Sequence, residues 1–147
     1  MTKAIYFDMD GTIANLYGVN NWLDMLINSD ETPYKVAKPM VKMNVLARYL
    51  NKLQKHGYII GIVSWLCKGG NIEYNKKVTE TKIKWLHTHL KSVKWNEIKI
   101  VEYGTPKEKI VNYPKGILFD DEVQNRKNWK GKAYNESQIM EVLKAIV

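Results

Sequence analysis

The sequence has 147 residues, of which 45% are apolar and 26% are charged, and this composition excludes a disordered or low-complexity chain. Its length is typical of one domain, so we expect residues 1–147 to form a single domain. The 23 Lys and Arg residues against 15 Asp and Glu residues give a net charge of +8. This charge favours anionic partners without requiring them, because surface lysines also keep proteins soluble.

The cellular setting is indicated by the single cysteine and by the lack of long apolar segments. Cys67 is the only cysteine, which excludes an internal disulfide and a multi-cysteine zinc site. The longest apolar stretch, residues 58–63, is too short to cross a bilayer. Asp8 and Asp10 interrupt any signal-peptide pattern near the N-terminus. We therefore expect a cytoplasmic protein that does not act on membranes.

Short apolar runs rich in Ile, Val and aromatic residues alternate with longer segments of helical period. This pattern is typical of a parallel sheet covered by helices. The sequence thus predicts an α/β fold with a Rossmann-like, doubly wound, mainly parallel five-stranded sheet. The predicted strands are residues 4–7, 58–63, 98–101, 117–119 and, more weakly, 132–134.

The connections between the strands carry apolar residues at helical spacing, which predicts three amphipathic helices. Asn135, with Gln138 three residues later, predicts a capping box before the last of them. The three apolar faces are Met43, Leu46, Tyr49, Leu50 and Leu53; Ile83, Leu86 and Leu90; and Ile139, Val142, Leu143 and Ile146.

Residues 15–42 do not fit a simple strand–helix crossover, and we interpret them as a small cap insertion after the first strand. Thr32 and Pro33 mark a helix start within the insertion. The segment is too short for a large lid, so we expect an open site or one closed by a few helices. Its aromatic side chains could stack on a base, although we expect most of them to pack against the domain. These aromatic residues are Tyr17, Trp22 and Tyr34.

Polar residues follow four of the five predicted strands, at the points where the strands end. In an open α/β sheet the ligand lies outside the carboxyl ends of the strands, so we expect these residues to meet at one site. They are Asp8, Met9, Asp10, Gly11 and Thr12 after the first strand, Ser64 after the second, Lys107 in the loop after the third, and Asp120 and Asp121 after the fourth.

Several carboxylates that converge on one site would repel one another unless a cation lies between them. Hard carboxylate oxygens favour Mg²⁺, which usually keeps water and substrate phosphate oxygens in its shell. Ser64 can donate a hydrogen bond to such a phosphate, and Lys107 can supply a positive charge. The sequence therefore predicts a magnesium-dependent phosphate site.

These segments resemble the four motifs of the haloacid dehalogenase (HAD) superfamily of phosphohydrolases. Asp8-Met9-Asp10-Gly11-Thr12 is similar to the first motif, which is highly specific, and the resemblance extends over residues 5–121. The other three motifs are matched by Ser64 in Ile62-Val63-Ser64-Trp65, by Lys107 in Thr105-Pro106-Lys107, and by Asp120-Asp121 in Leu118-Phe119-Asp120-Asp121.

The resemblance implies a role for each matched residue in a phosphoric monoester hydrolase. Asp8 would attack phosphorus and form an aspartyl-phosphate, and Asp10 would act as general acid and then as general base. Mg²⁺ would be held by the Asp8 carboxylate, the Asp10 backbone carbonyl and Asp120. The phosphate would be bound by Ser64, Lys107, Met9, Gly11 and Thr12.

Two details stay open at the level of sequence. Lys109 is a rival for the role of Lys107, which we prefer because it directly follows a proline at a predicted helix start. Many relatives carry a further acid after the fourth motif, where this chain has Gln124 and Asn125. Asp121 or Glu122 could replace that acid by orienting metal-bound water from the second shell.

The substrate is indicated only by a resemblance to the 5'(3')-deoxyribonucleotidase branch of the superfamily. That resemblance rests on Ser64-Trp65, on Lys82, Trp85 and Leu86, and on residues 117–121. It implies nucleoside 5'- or 3'-monophosphates as substrates. Alternatives are phosphorylated nucleic-acid termini or other small phosphate esters. A further hypothesis is that the protein is not an enzyme and only binds nucleotides or nucleic acid.

Overall fold

The computed structural model describes residues 2–147. Six α-helices, three 3₁₀ turns and seven strands make up the regular structure of this part of the chain. None of the helices within residues 2–147 combines the length and the apolar character that a membrane crossing needs. The strands are β1 (Ala4–Phe7), β2 (Ala14–Asn15), β3 (Lys38–Pro39), β4 (Ile59–Trp65), β5 (Glu97–Val101), β6 (Ile117–Phe119) and β7 (Ala133–Tyr134). The helices are α1 (Trp22–Ile27), α2 (Thr32–Val36), α3 (Met43–Lys55), α4 (Ile72–His89), α5 (Val123–Asn128) and α6 (Ile139–Ile146).

Five strands form one sheet in the order β5-β4-β1-β6-β7, and every neighbouring pair is parallel. The predicted α/β fold with a five-stranded parallel sheet is confirmed. Phe7 lies opposite Ile62 on one side and Phe119 on the other. This register brings the ends of the three central strands to the same edge. Strand β4 includes Ser64 and ends at Trp65. The prediction that Ser64 follows the strand is therefore wrong, because the strand is longer than its apolar run.

Side chains from β1 contribute to cores on both faces of the sheet. Ile5 and Phe7 belong to the larger core cluster, whereas Ala4 and Tyr6 belong to a second cluster. A strand buried on both sides is expected in a parallel sheet that is covered by helices on each face. The predicted face of α3 is confirmed, because Leu46, Leu50 and Leu53 are all buried. The predicted capping box of Asn135 and Gln138 is also present, at a 3₁₀ turn before α6.

The insertion after β1 is bounded by the antiparallel pair β2 and β3, with α1 and α2 between them. Pro33 lies in the first turn of α2, as predicted. Tyr34 is buried in a third apolar cluster together with Tyr74 and Val78 of α4. The Tyr74 hydroxyl also donates to the Asp30 carbonyl at 3.0 Å. The insertion is therefore docked on α4, next to the end of β4.

Candidate active site

The turn that follows β1 holds Asp8 at the edge of the sheet. The Asp8 N–H donates to the Phe119 carbonyl at 2.9 Å, so this residue stays paired with β6. The Met9 carbonyl then accepts from three successive N–H groups and closes the turn. Gly11 adopts φ +79°, and a Cβ atom there would collide with Oδ2 of Asp121. Glycine is required at this position because of both the backbone angle and the close approach of Asp121.

Three carboxylates meet beside this turn. Asp8, Asp120 and Asp121 each offer an oxygen, and these oxygens lie within 4.8 Å of one another. The Thr12 hydroxyl lies 3.1 Å from Oδ2 of Asp8 and 3.3 Å from Oδ1 of Asp121. Burial and the charge of Asp8 raise the pKa of Asp120 to about 6 and the pKa of Asp121 to about 8. Since the donors are hard oxygens that repel one another, the set fits a divalent cation such as Mg²⁺.

Lys107 lies between two of these carboxylates. Its ammonium donates to Oδ1 of Asp8 at 3.0 Å and to Oδ2 of Asp120 at 2.7 Å, and only 2% of the residue is exposed. Burial lowers the pKa of Lys107, but the two carboxylates more than offset this effect and keep it above its ordinary value. Lys109 is exposed to solvent. The fold thus brings Lys107, rather than Lys109, to Asp8.

Asp120 is fixed by donors from the start of α5 and the turn before it. Its Oδ1 accepts from the Glu122 N–H at 2.9 Å, and its Oδ2 accepts from the Asn125 side-chain amide at 3.2 Å. The Arg126 guanidinium donates to the Asp120 carbonyl at 2.9 Å. The side-chain amide of Asn125 therefore orients Asp120. Asp121, for which the sequence predicts a second-shell role, lies in the carboxylate cluster together with Asp8 and Asp120.

Asp10, the second acid of the first motif, is paired with a lysine that the sequence did not single out as a site residue. Oδ2 of Asp10 lies 2.8 Å from the ammonium of Lys82, which also donates to the Ser64 hydroxyl at 2.9 Å. Burial raises the pKa of Asp10, and the nearby charge of Lys82 opposes this shift. The helical spacing of α4 indicates that Lys82 lies on the buried face, because it falls four positions after the buried Val78 and four before the buried Leu86.

The structure gives several predicted phosphate ligands other partners. The Gly11 N–H donates to the Ala14 carbonyl at 2.9 Å, and the Thr12 N–H donates to the Met9 carbonyl at 3.1 Å. These groups shape the turn, so a contact of the same N–H groups with phosphate would require both bonds to break. Ser64 is fully buried beside Asp10 and Lys82, and its hydroxyl accepts from Lys82. That hydroxyl keeps its own proton for donation.

A cavity of about 530 Å³ opens above Asp8 and Asp10. Its charged floor includes Lys107 and Asp121, whereas its walls are largely aromatic and aliphatic. Two aromatic pairs line it. Tyr17 and Trp22 meet edge-on with ring centroids 4.9 Å apart, and Trp65 and Tyr103 are tilted with centroids 5.0 Å apart. The aromatic lining residues are Tyr17, Trp22 and Tyr34 from the insertion, Trp65 from the end of β4, Tyr74 from α4, and Tyr103 from the loop after β5.

The prediction that most aromatic residues of the insertion pack against the domain is confirmed, because Tyr34 and Trp22 pack in the third apolar cluster and only Tyr17 does not. Tyr34 is buried, but 50% of Tyr17 is exposed at the cavity mouth. Tyr103, on a different loop, is 54% exposed, and its ring contacts Trp65. The Trp65 ring is fixed by a hydrogen bond from its Nε1 to the Thr105 carbonyl at 2.8 Å. The cleft therefore has one rigid aromatic wall and an open, partly aromatic mouth.

No family model and no curated protein matches the sequence. Among solved structures, D,D-heptose 1,7-bisphosphate phosphatase from Burkholderia thailandensis matches with a TM-score of 0.52 and 12% identity, over 86% of this chain and 70% of that one. The chain shares the fold of this phosphatase.

Two further structures also match. A chain of the Pnkp1/Rnl/Hen1 complex aligns with a TM-score of 0.54 and 16% identity, over 92% of this chain and 46% of that one. This protein thus spans about half the length of that larger chain. The HAD domain of effector protein Lem4 from Legionella pneumophila gives a TM-score of 0.45 and 14% identity, over 99% and 94% of the two chains.

Proposed function

We propose that this protein is a HAD-type, magnesium-dependent phosphatase that acts through an aspartyl-phosphate on Asp8. The observation that carries the proposal is the position of Asp8 on the cavity floor, in contact with Lys107 and beside Asp120 and Asp121. The fold it shares with a sugar bisphosphate phosphatase supports the same reaction class. The single cysteine and the phosphorylated substrate both suit the reducing cytoplasm, where we place the activity.

The chemistry divides into two displacements at phosphorus. In the first, an Asp8 oxygen bonds to phosphorus while the ester oxygen leaves and takes a proton from Asp10. In the second, Asp10 takes a proton from water, whose oxygen attacks phosphorus and frees Asp8. The raised pKa of Asp10 suits the acid role, because the group must carry a proton at the start.

The remaining charged groups hold the phosphoryl group and balance its charge. Lys107 donates toward the oxygens of the group bound at Asp8, and Ser64 would donate from the neighbouring strand through the proton that its contact with Lys82 leaves free. Asp8, Asp120 and Asp121, together with the Asp10 backbone carbonyl, would hold Mg²⁺, which when bound supplies positive charge to the phosphoryl oxygens. The buried carboxylates alone would repel a phosphate, so this cation is needed for binding as well as for reaction.

The first experiment is hydrolysis of 4-nitrophenyl phosphate with and without Mg²⁺. Wild-type protein should release nitrophenol only with the metal, and Asp8→Asn should release none above background. The matched control is Asp24→Asn, which changes an exposed aspartate of α1 and should retain full activity. If the wild type is inert on every phosphate ester tested, or if Asp8→Asn stays active, the proposal is wrong and a non-catalytic binding protein is favoured.

For the substrate we propose nucleoside 5'- or 3'-monophosphates. The cavity volume of about 530 Å³ lies in the usual range for small-molecule sites. With the phosphate at Asp8, a base could stack on the wall formed by Trp65 and Tyr103. The net charge of +8 is compatible with an anionic substrate.

A second candidate substrate is the phosphorylated end of a nucleic acid. The half-exposed Tyr17 and Tyr103 at the cavity mouth favour it, because exposed aromatic rings can stack on the bases of a longer strand. A comparison of kcat/KM for nucleoside monophosphates, sugar phosphates and end-phosphorylated oligonucleotides separates these cases. A preference for sugar phosphates would contradict both nucleotide proposals and leave the phosphatase mechanism intact.

A further inference from the structure

Lys82 is a buried lysine whose ammonium makes all of its hydrogen bonds to groups of the protein. Only 1% of the residue is exposed. Its Nζ donates to Oδ2 of Asp10 at 2.8 Å, to the Ser64 hydroxyl at 2.9 Å and to the Trp65 carbonyl at 2.7 Å. The Tyr34 ring of the insertion lies over the ammonium, with its centroid 5.1 Å away. The three N–H groups of the ammonium each meet one of these three acceptors, which fixes its position.

The stability of α4 does not explain why this residue is a lysine. Position 82 lies on the apolar face of the helix, in line with Tyr74, Val78 and Leu86, which are all buried. An apolar side chain would suit that face, since moving an ammonium out of water costs several kcal/mol before any pairing. Lys107 already supplies a cation to Asp8 and Asp120. Lys82 is a second buried cation, and it is directed to a different carboxylate.

The two oxygens of Asp10 have different surroundings. Oδ2 is held by Lys82, whereas the side-chain hydrogen bonds found among residues 2–147 include none to Oδ1. Asp10 also lines the cavity above Asp8. One oxygen is therefore anchored in the protein, and the other is available to a group in the cavity.

We propose that Lys82 is a positioning residue for the phosphatase reaction, which holds Asp10 so that its Oδ1 faces the oxygen of the leaving group. The inference rests on the proposed function. As the bond between Asp8 and phosphorus forms, the ester bond breaks and the proton on Oδ1 passes to the departing oxygen. When water later attacks phosphorus, its proton returns to Oδ1 and the Asp8 oxygen is released. Tyr34, from the insertion, keeps water away from the anchor.

The test compares two substrates of nearly equal shape, 4-nitrophenyl phosphate and phenyl phosphate, in Lys82→Met. Nitrophenolate leaves readily without a proton, whereas phenol leaves slowly unless an acid protonates it. General acid catalysis contributes about 10²–10⁴-fold, so kcat/KM should fall about 100-fold for phenyl phosphate and less than about tenfold for 4-nitrophenyl phosphate. The ratio of the two values is independent of how much of the variant is folded.

Two further variants exclude a general effect of the substitution. Lys84→Met makes the same change at an exposed position on the same helix and should leave both substrates unaffected. In an Asp10→Asn background, Lys82→Met should cause little further loss on either substrate, because the group it positions has gone.

Two outcomes would overturn the role of Lys82: equal losses on both substrates, or a full additional loss in the Asp10→Asn background. Either would leave the phosphatase assignment standing. If instead the wild type hydrolyses neither ester, the proposed function itself has failed, and the positioning role fails with it.

Discussion

The ammonium of Lys107 lies 3.0 Å from a carboxylate oxygen of Asp8, although 99 residues separate them in the chain. The contact forms because Lys107 begins a 3₁₀ turn after β5, while Asp8 directly follows β1, which lies two strands away in the same sheet. Both groups are buried, so the pair lies in a region of low dielectric where its charges act strongly.

Replacement of Lys107 by methionine should therefore reduce catalysis severely. The variant loses the cation that faces the phosphoryl oxygens, and loss of one such donor costs about 10²–10³-fold in kcat. Lys109→Met is the matched control, because Lys109 is exposed and lies two residues later. Steady-state kinetics on 4-nitrophenyl phosphate measure both variants. A larger loss in Lys109→Met than in Lys107→Met would show that the wrong lysine has been placed in the site.

The metal-free protein should become less stable as the pH rises from 6 to 8. Burial and the charge of Asp8 raise the pKa of Asp121 to about 8, so the folded chain holds a proton that the unfolded chain has already released. Because the folded state binds more protons in this range, the free energy of unfolding falls with increasing pH. Mg²⁺ should oppose this loss and raise Tm more at pH 8 than at pH 6.

Thermal unfolding with EDTA and with Mg²⁺ measures this dependence, and Asp121→Asn identifies its source. That variant should have a flatter pH profile without metal, whereas Asp24→Asn at an exposed site should behave as the wild type does. A Tm that rises from pH 6 to pH 8 in the metal-free wild type would contradict the raised pKa of Asp121.

Gly11→Ala should damage the site more than an equivalent change elsewhere. Gly11 and Gly57 both have positive φ, at +79° and +92°, but a Cβ atom meets Asp121 only at position 11. The backbone angle alone costs about 1–2 kcal/mol in either variant. We expect Gly57→Ala to lose about this much stability with normal kcat, and Gly11→Ala to lose more stability and most of its activity.

Urea denaturation and initial rates in parallel measure the two glycine variants. Equal losses of stability together with full activity in Gly11→Ala would mean that Asp121 does not need its present position for the reaction.

Tyr103→Ala should weaken binding of nucleotides selectively. Tyr103 is exposed at the cavity mouth and its ring lies 5.0 Å from that of Trp65. Stacking on a base is worth about 1–3 kcal/mol, so KM for a nucleoside monophosphate should rise about tenfold, with kcat little changed. Tyr113→Ala, at a partly exposed position that does not line the cavity, is the control. A similar rise in KM for glycerol phosphate would argue against a base at this wall.

The features that the sequence predicted well are the ones with a local cause. Strand β6 follows from a short apolar run, and the acids after it fall at the sheet edge because parallel strands all end on the same side. The start of α2 follows from Thr32 and Pro33 in the same way. Such signals lie within a few residues of the structure that they specify.

The features that the sequence did not predict depend on packing between distant elements. Lys82 reaches Asp10 across 72 residues, and only the docking of α4 beside β4 brings them together. The hydrogen bond of Asn125 to Asp120 depends on the angle at which α5 begins. The sequence predicts that most aromatic residues of the insertion pack, but which ring stays exposed, Tyr17 and not Tyr34, is set by contact with α4.

The most direct test of the central claim is chemical trapping of phosphorylated Asp8. Asp10→Asn should still be phosphorylated by 4-nitrophenyl phosphate, whose leaving group needs no acid, but should lose the phosphoryl group slowly because no base activates water. Quenching, borohydride reduction and peptide mass spectrometry should then locate the modification at Asp8, with none in Asp8→Asn. Steady turnover with no modified residue, or a modification at another carboxylate, would contradict the proposed mechanism.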